Sequence, residues 1–214
     1  MARSVDRSWL KENTVVTIVR DFLPRDTDEL YEVCLRTGDE GRDATGLMTY
    51  PRLLGDIFVG PYLRFAPELA LTADDGQRAA GYALAVLDTE QFEQTLDDAW
   101  WPALREVYPA PGPGPHRGED ELLAMVHDSA LTRHPTLPGF PSHLHIDLLE
   151  HLRGEGLGER MMLELFARLR AADSPGVHLG VAASNVGAQR FYARLGFVEL
   201  QRTDDEVFMG LAWV

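Results

Sequence analysis

The chain holds one cysteine, Cys34, one lysine, Lys11, and no apolar run approaching the length of a membrane span. Each scarcity excludes something. A lone cysteine allows no internal disulfide framework and fits a reducing compartment, so a cytoplasmic location is expected. Without about 20 consecutive apolar residues no membrane-spanning helix is expected. Met1 to Asn13 carries Arg3, Arg7 and Lys11 with no apolar stretch behind them, so it does not read as a secretory signal. Positive charge is also scarce: 20 Lys and Arg face 34 Asp and Glu, for a net charge of −14. Nucleic-acid binding needs a cationic face, and none is expected here.

What is present suits one well-packed unit. Of 214 residues, 45% are hydrophobic and 25% charged, enough apolar surface to bury a core. Acidic clusters occur at Asp26/Asp28/Glu29/Glu32, at Glu119/Asp120/Glu121 and at Asp204/Asp205/Glu206. They read either as solvated surface or as attraction for a cationic substrate.

Periodicity places the elements. Thr14–Arg20 alternates β-branched residues and reads as a strand. Pro24–Thr37 reads as a helix stopped by Gly38. Residues 41–66 are interrupted by Tyr50-Pro51 and Gly60-Pro61 and give no clear element. Glu68–Ala73 and Ala79–Leu87 read as a strand pair turned at Asp74-Asp75-Gly76. Thr89–Tyr108 reads as helical, with Trp100 and Trp101 requiring burial. Residues 110–115, an alanine followed by alternating proline and glycine, are expected as a loop, and Glu119–His127 as a short helix. From Ser142 the pattern sharpens: strand (His143–Leu149), glycine loop, helix (Glu159–Ala172), strand (Val177–Val181), helix (Val186–Leu195) and two short strands, 197–202 and 207–213. Alternating strands and helices predict an α/β fold.

The glycine loop runs Leu152-Arg153-Gly154-Glu155-Gly156-Leu157-Gly158-Glu159-Arg160. Its glycines let the backbone turn tightly, and the following helix, with Met162, Leu165, Phe166 and Leu169 on one face, aims free N–H groups at it. A helix start of this kind suits a phosphate or diphosphate. A Walker loop requires Gly-Lys-Ser/Thr, and this loop holds no lysine. A dinucleotide fingerprint requires G-x-G-x-x-G, whereas the spacing is G-x-G-x-G with Glu159 in the next position. The pattern Arg/Gln-x-x-Gly-x-Gly/Ala is met by Arg153, Gly156 and Gly158.

Downstream lies Asn185-Val-Gly-Ala-Gln-Arg-Phe191-Tyr192-Ala-Arg-Leu195-Gly196-Phe197. The loop, the intervening strand and this segment together resemble the GNAT acetyltransferase superfamily, most fully over Ser142–Leu200. The stretches Tyr50-Pro-Arg-Leu-Leu, His143-Leu-His-Ile-Asp-Leu-Leu and Gly176-Val-His-Leu-Gly-Val also resemble bacterial relatives of the acetyltransferase-like domain appended to O-GlcNAcase.

The resemblance implies a single-domain GNAT fold with a mixed central sheet flanked by helices: an N-terminal half at 14–87, an insertion at 88–141 between the third and fourth strands, and a cofactor-binding core at 142–214. It implies an N-acetyltransferase moving the acetyl group of acetyl-CoA to a primary amine, on a small molecule or a peptide, by direct attack in a ternary complex. The alternative is a catalytically silent acetyl-CoA-binding or interaction module. No nucleic-acid or membrane partner is expected, and the chain is expected as monomer or homodimer. Cofactor-contacting positions carried over are Ile146 (N–H towards the acetyl oxygen), Leu148, Arg153, Gly154, Glu155, Gly156, Leu157, Gly158, Glu159, Asn185, Tyr192 and Arg194. Tyr192 matches the family tyrosine that protonates the departing thiolate. Asn185 reads equally as a helix cap.

The general base is open among His143, His145 and Asp147, which alternate on one strand face. His-x-His-x-Asp also invites a metal reading, but no downstream ligand set accompanies it, and no metal is expected. Residues 88–141 read either as a lid on the acceptor site or as an added helical layer. Acceptor specificity is expected from residues 41–66 and the turn 203–206. Cys34 reads as a small core residue.

Overall fold

The computed structural model describes residues 17–114 and 117–213. Among these, β1 (Ile18–Asp21), β2 (Ala70–Asp74), β3 (Ala79–Val86), β4 (Ser142–Leu148), β5 (Gly176–Ala182), β6 (Val198–Arg202) and β7 (Glu206–Ala212) form one mixed sheet. Its order is β1-β2-β3-β4-β5-β7-β6. All neighbours are antiparallel except β4 and β5. Every residue of β3 is buried, as its run AAGYALAV requires of a strand covered on both faces. Helix α1 (Thr27–Thr37) packs on β3 and β4 from one side; α7 (Leu157–Ala171) covers β2, β3 and β4 from the other. The expected N-terminal strand is found at Ile18–Asp21, and residues 14–16 of that expectation lie outside the described residues.

The interrupted stretch resolves into α2 (Leu53–Phe58) and α3 (Gly60–Phe65). Gly60-Pro61 starts α3 rather than breaking it, because proline lacks an N–H that the first helical turn leaves unpaired anyway. A Cβ at position 60 would overlap the Tyr31 hydroxyl and the Trp100 ring, so glycine is required by close approach.

The insertion supplies α4 (Thr89–Ala99), α5 (Trp101–Val107) and α6 (Glu119–His127). Asp88 caps α4 by accepting from the Gln91 N–H at 2.9 Å. The insertion is bolted to α2 through Asp56: Tyr108 donates to Oδ2 at 2.5 Å and the Trp100 indole to the backbone oxygen at 2.8 Å, while Tyr31 of α1 donates to Oδ1 at 2.9 Å. Trp101 is buried, and Phe92 of α4 packs beside Tyr62 of α3. Helix α8 (Val186–Arg194) follows β5 and leads through Gly196 to β6.

The acidic clusters are partly consumed by this architecture. Asp26 is buried and ion-paired with Arg20, Glu32 pairs with Arg78, and Glu119 accepts from the Tyr50 N–H at 2.7 Å.

Candidate active site

The site begins where two strands stop pairing. Strands β4 and β5 are registered at Ser142 with Val177 and at His143 with His178, and no further pair follows. Beyond His143 they part. On its other edge β4 stays paired with β3 to Leu148, and the Leu149 N–H reaches the Ala80 oxygen at 3.0 Å. Backbone groups alternate sides along a strand, so residues 144, 146 and 148 turn theirs away from β3 and towards the gap. The Ile146 N–H therefore faces the opening. The gap continues into a cleft of about 1320 Å³, walled by α1, β4, β5, α7 and α8. That is ample for an elongated cofactor with an acceptor beside it.

The glycine turn forms one mouth of this cleft. Gly154 has φ 87° and Gly156 φ 76°, backbone conformations that L side chains rarely adopt. Gly156 is the residue before α7, and no side chain caps the helix, which begins two residues earlier than expected, at Leu157. The N–H groups of its first turn have no helical carbonyl before them and are available to an anion. Gly154, Gly156, Gly158, Glu159 and Arg153 line the cleft. The Arg153 guanidinium bonds the Leu148 carbonyl at 2.8 Å and the Gly41 carbonyl at 3.1 Å, drawing the loop after α1 against the turn. Asn185 caps α8 through the Ala188 N–H at 3.0 Å and lines the cleft as well. Arg194 also reaches the lining.

The polar centre lies on the α1 side of β4. Tyr82, opposite Asp147 in the β3–β4 register, donates to its Oδ2 at 2.7 Å. Burial pushes the Asp147 carboxyl up to about 6, against the opposing pull of the Tyr82 bond and of nearby Thr37 and Arg153. Tyr192 of α8 is 8% exposed and lines the same cleft. Burial, then the charge of Asp147, keeps its phenol protonated well above the usual range. Among the described residues nothing hydrogen-bonds its hydroxyl. Cys34, buried beside this centre, has its thiol pushed up to about 12, chiefly by burial.

The three base candidates separate. Asp147 and His145 line the cleft; His143 does not, being 1% exposed behind it. Both His143 nitrogens are engaged, Nε2 with the Tyr62 hydroxyl at 2.6 Å and Nδ1 with Thr89 Oγ1 at 2.9 Å. His143 thus has no lone pair facing the cleft, whereas His145 and Asp147 reach it. Ring nitrogens of His134, His143 and His145 lie within 4.8 Å of one another, a grouping that resembles a metal set. The Tyr62 hydroxyl stands between His143 and His145 and bonds both, so these two nitrogens are engaged without an ion.

The profile of the Acetyltransferase (GNAT) family matches residues 42–197, well over half of the chain. The chain belongs to the GNAT acetyltransferase family. A crystal structure of SsHAT superposes with a TM-score of 0.84 at 32% identity, covering 92% of this chain and 98% of that one. The chain is 26% identical over 209 residues to Protein O-GlcNAcase of Rattus norvegicus, covering 94% of this chain. It spans 22% of the length of that relative. Salmonella typhimurium yncA, solved with its cofactor acetyl-CoA, shares the fold at TM-score 0.53 and 15% identity.

In this GNAT fold no described residue between 88 and 141 lines the cleft, and the described part of the insertion packs as helices α4, α5 and α6. Of the region 41–66, Gly41, Leu54 and Phe58 line the cleft, next to Gly38 and Glu40. The turn 203–206 contributes no lining residue among those described. Sequence reading missed Tyr82 and Tyr62, because their importance depends on strand register and on helix packing that no local pattern carries.

Proposed function

We propose that the protein is an N-acetyltransferase that moves the acetyl group of acetyl-CoA to a primary amine by direct attack in a ternary complex. The observation that carries this reading is the splayed β4–β5 edge, with an anion-accepting glycine turn at one mouth and Asp147 and Tyr192 at its centre. Acetyl-CoA supplies the activated thioester. Backbone N–H groups of residues 154–159 hold its diphosphate, and the N–H of Leu148, whose carbonyl is taken by Arg153, holds the pantetheine arm. The Ile146 N–H donates to the acetyl oxygen, where one donor of this kind contributes about 2.7–4 kcal/mol in the transition state. Asp147 accepts the proton of the amine. Tyr192, kept protonated, donates to the sulfur. Each proton thus moves between groups whose charge state the burial of the site has already set.

Of the charged residues lining the cleft, Asp147 is shielded while Glu40, Arg153, Glu159 and Arg194 are exposed; the shielded carboxylate favours a cationic acceptor, and the apolar wall of Leu54 and Phe58 leaves room for its carbon chain. The single cysteine remains consistent with a cytoplasmic setting.

The reading is tested in two steps. Acetyl-CoA should raise the melting temperature, as any ligand specific for the folded state does. Thiol release is then followed with ethylamine, 2-phenylethylamine and a lysine-containing peptide as acceptors. Binding with no turnover on any of them would move the protein to the catalytically silent alternative. Tyr192→Phe should lower kcat by about 10²-fold or more, the range of general acid catalysis, while the acetyl-CoA Kd stays within about twofold. An unchanged kcat removes Tyr192 from proton delivery.

A further inference from the structure

His143 behind the cleft and His145 lining it belong to a directed hydrogen-bond chain whose end is a lone pair with no partner among the described residues. The direction is fixed from its far terminus. Thr89 Oγ1 lies 2.7 Å from the Pro141 carbonyl, and two oxygens at that distance need a hydrogen between them. A carbonyl can only accept, so the single Thr89 hydroxyl hydrogen is spent there. Thr89 must then accept from His143 Nδ1, 2.9 Å away, which places the hydrogen of that imidazole on Nδ1 and leaves Nε2 bare. Bare Nε2 accepts from the Tyr62 hydroxyl at 2.6 Å. The Tyr62 oxygen, its own hydrogen spent, accepts from His145 Nε2 at 2.8 Å.

A neutral imidazole carries one N–H, so His145 Nδ1 is left as an acceptor. Both rings are held neutral, because burial lowers His143 well below its usual value and His145 to about 3. His145 is part-exposed and lines the cleft, and its Nδ1 has no partner among the described residues and is not sealed from solvent. The chain is walled in by Phe92, packed edge-on against His143, and by His134, stacked on His143 at 4.2 Å and tied to Glu93 at 3.1 Å.

Two residues further along the same strand face stands Asp147, about 7 Å away at the backbone. The cleft is thus lined by two acceptors on one strand face, one a carboxylate and one an uncharged imidazole that does not repel a cation. A primary ammonium can satisfy both and, after losing a proton, still donates twice. A secondary amine in the same state has one N–H and must leave an acceptor unpaired.

We propose that His145 Nδ1, aimed by the buried chain Tyr62–His143–Thr89–Pro141, is the second amine-binding acceptor of the site and makes the enzyme select primary over secondary amines. His145 is the binding residue; Tyr62, His143 and Thr89 are positioning residues. The proposal rests on the acetyltransferase reading, and its test separates the two.

The chain itself is read without any acceptor. In the full protein labelled with ¹⁵N-histidine, two-bond ¹⁵N–¹H correlation should show His143 as the Nδ1–H tautomer and His145 as the Nε2–H tautomer. His143 found as Nε2–H overturns the proposal whether or not the protein is an enzyme. The role is read with whichever of ethylamine, 2-phenylethylamine and the lysine peptide turns over fastest, against its N-methyl derivative. The parent should favour the primary amine about tenfold or more in kcat/KM, the scale of one hydrogen bond to a charged group. Tyr62→Phe should raise the amine KM about tenfold and erase most of that preference, leaving the acetyl-CoA KM unchanged. Thr89→Val gives the same readout without touching Tyr62, in case the first variant packs poorly. His145→Leu should abolish the preference and His145→Asn, which retains a side-chain acceptor, should restore part of it. A preference unchanged in Tyr62→Phe, Thr89→Val and His145→Leu overturns the role.

Discussion

Asp147→Asn is expected to yield a protein more stable than its parent at pH 7 and slower in acetyl transfer by about 10²- to 10⁴-fold, the range contributed by a positioned general base. Both effects have one cause. Burial raises the Asp147 carboxyl to about 6, so holding it ionised at pH 7 costs folding free energy. The displacement from its ordinary value corresponds to at most about 3 kcal/mol, and the residual cost of burying an amide reduces the expected gain to about 1–2 kcal/mol. Asparagine fits the existing bonds: its oxygen accepts from Tyr82, and its NH₂ can donate towards Thr37, whose own hydroxyl hydrogen is committed to the Val33 carbonyl at 2.8 Å.

The sign in pH follows from the direction of the shift. An acid whose folded value is raised destabilises the fold above that value, and the penalty fades as pH falls from about 6 towards the unfolded value near 4. Denaturant midpoints of the two proteins should therefore differ at pH 7 and converge as pH approaches 4. The parent's kcat/KM should fall below pH about 6, and the variant should lack that limb. A variant that keeps the parent's turnover would free Asp147 of the base role. A stability gap that does not change with pH would mean that its carboxyl is not raised.

The parts of this site that were legible in the sequence are those written in local pattern. Gly154, Gly156 and Gly158 marked the turn, and positive φ at the first two gives the physical reason for glycine there. Alternation put His143, His145 and Asp147 on one face of β4, where they stand. Which of them reaches the cleft was not legible, because the answer lies in Tyr62, Thr89 and Tyr82, each more than 50 residues away in the chain. The same limit applies to residues 41–66, where Gly60-Pro61 reads as a break and serves as a helix start. It applies to the insertion too, whose composition suits a lid as well as a layer. Its docking is decided by Asp56, a single carboxylate on α2 that accepts from Tyr31 and Tyr108. The acidic clusters looked like one kind of surface, yet Asp26 is buried in an ion pair while Asp205 is exposed.

Gly156→Trp is expected to remove acetyl-CoA binding, with a loss of affinity of at least about 100-fold, while the protein still folds. Gly156 has φ 76° and ψ 4°, so a tryptophan there is strained by about 1–2 kcal/mol. A Cβ at this position meets no atom within 4 Å, so the indole enters open space without displacing the core. In a chain of this size the strain lowers the melting temperature by about 2–8 °C. Gly156 lines the cleft mouth in front of the α7 N–H groups, where we propose that the diphosphate sits. Acetyl-CoA at 100 times its parent Kd should stabilise the parent by about 2.7 kcal/mol and the variant not at all. Gly156→Asn separates strain from obstruction. Asparagine tolerates the left-handed conformation and is short, so it should retain measurable binding at nearly parental stability. Parental affinity in Gly156→Trp would place the diphosphate elsewhere, and equal losses in Trp and Asn variants would assign the effect to backbone conformation instead of the occupied space.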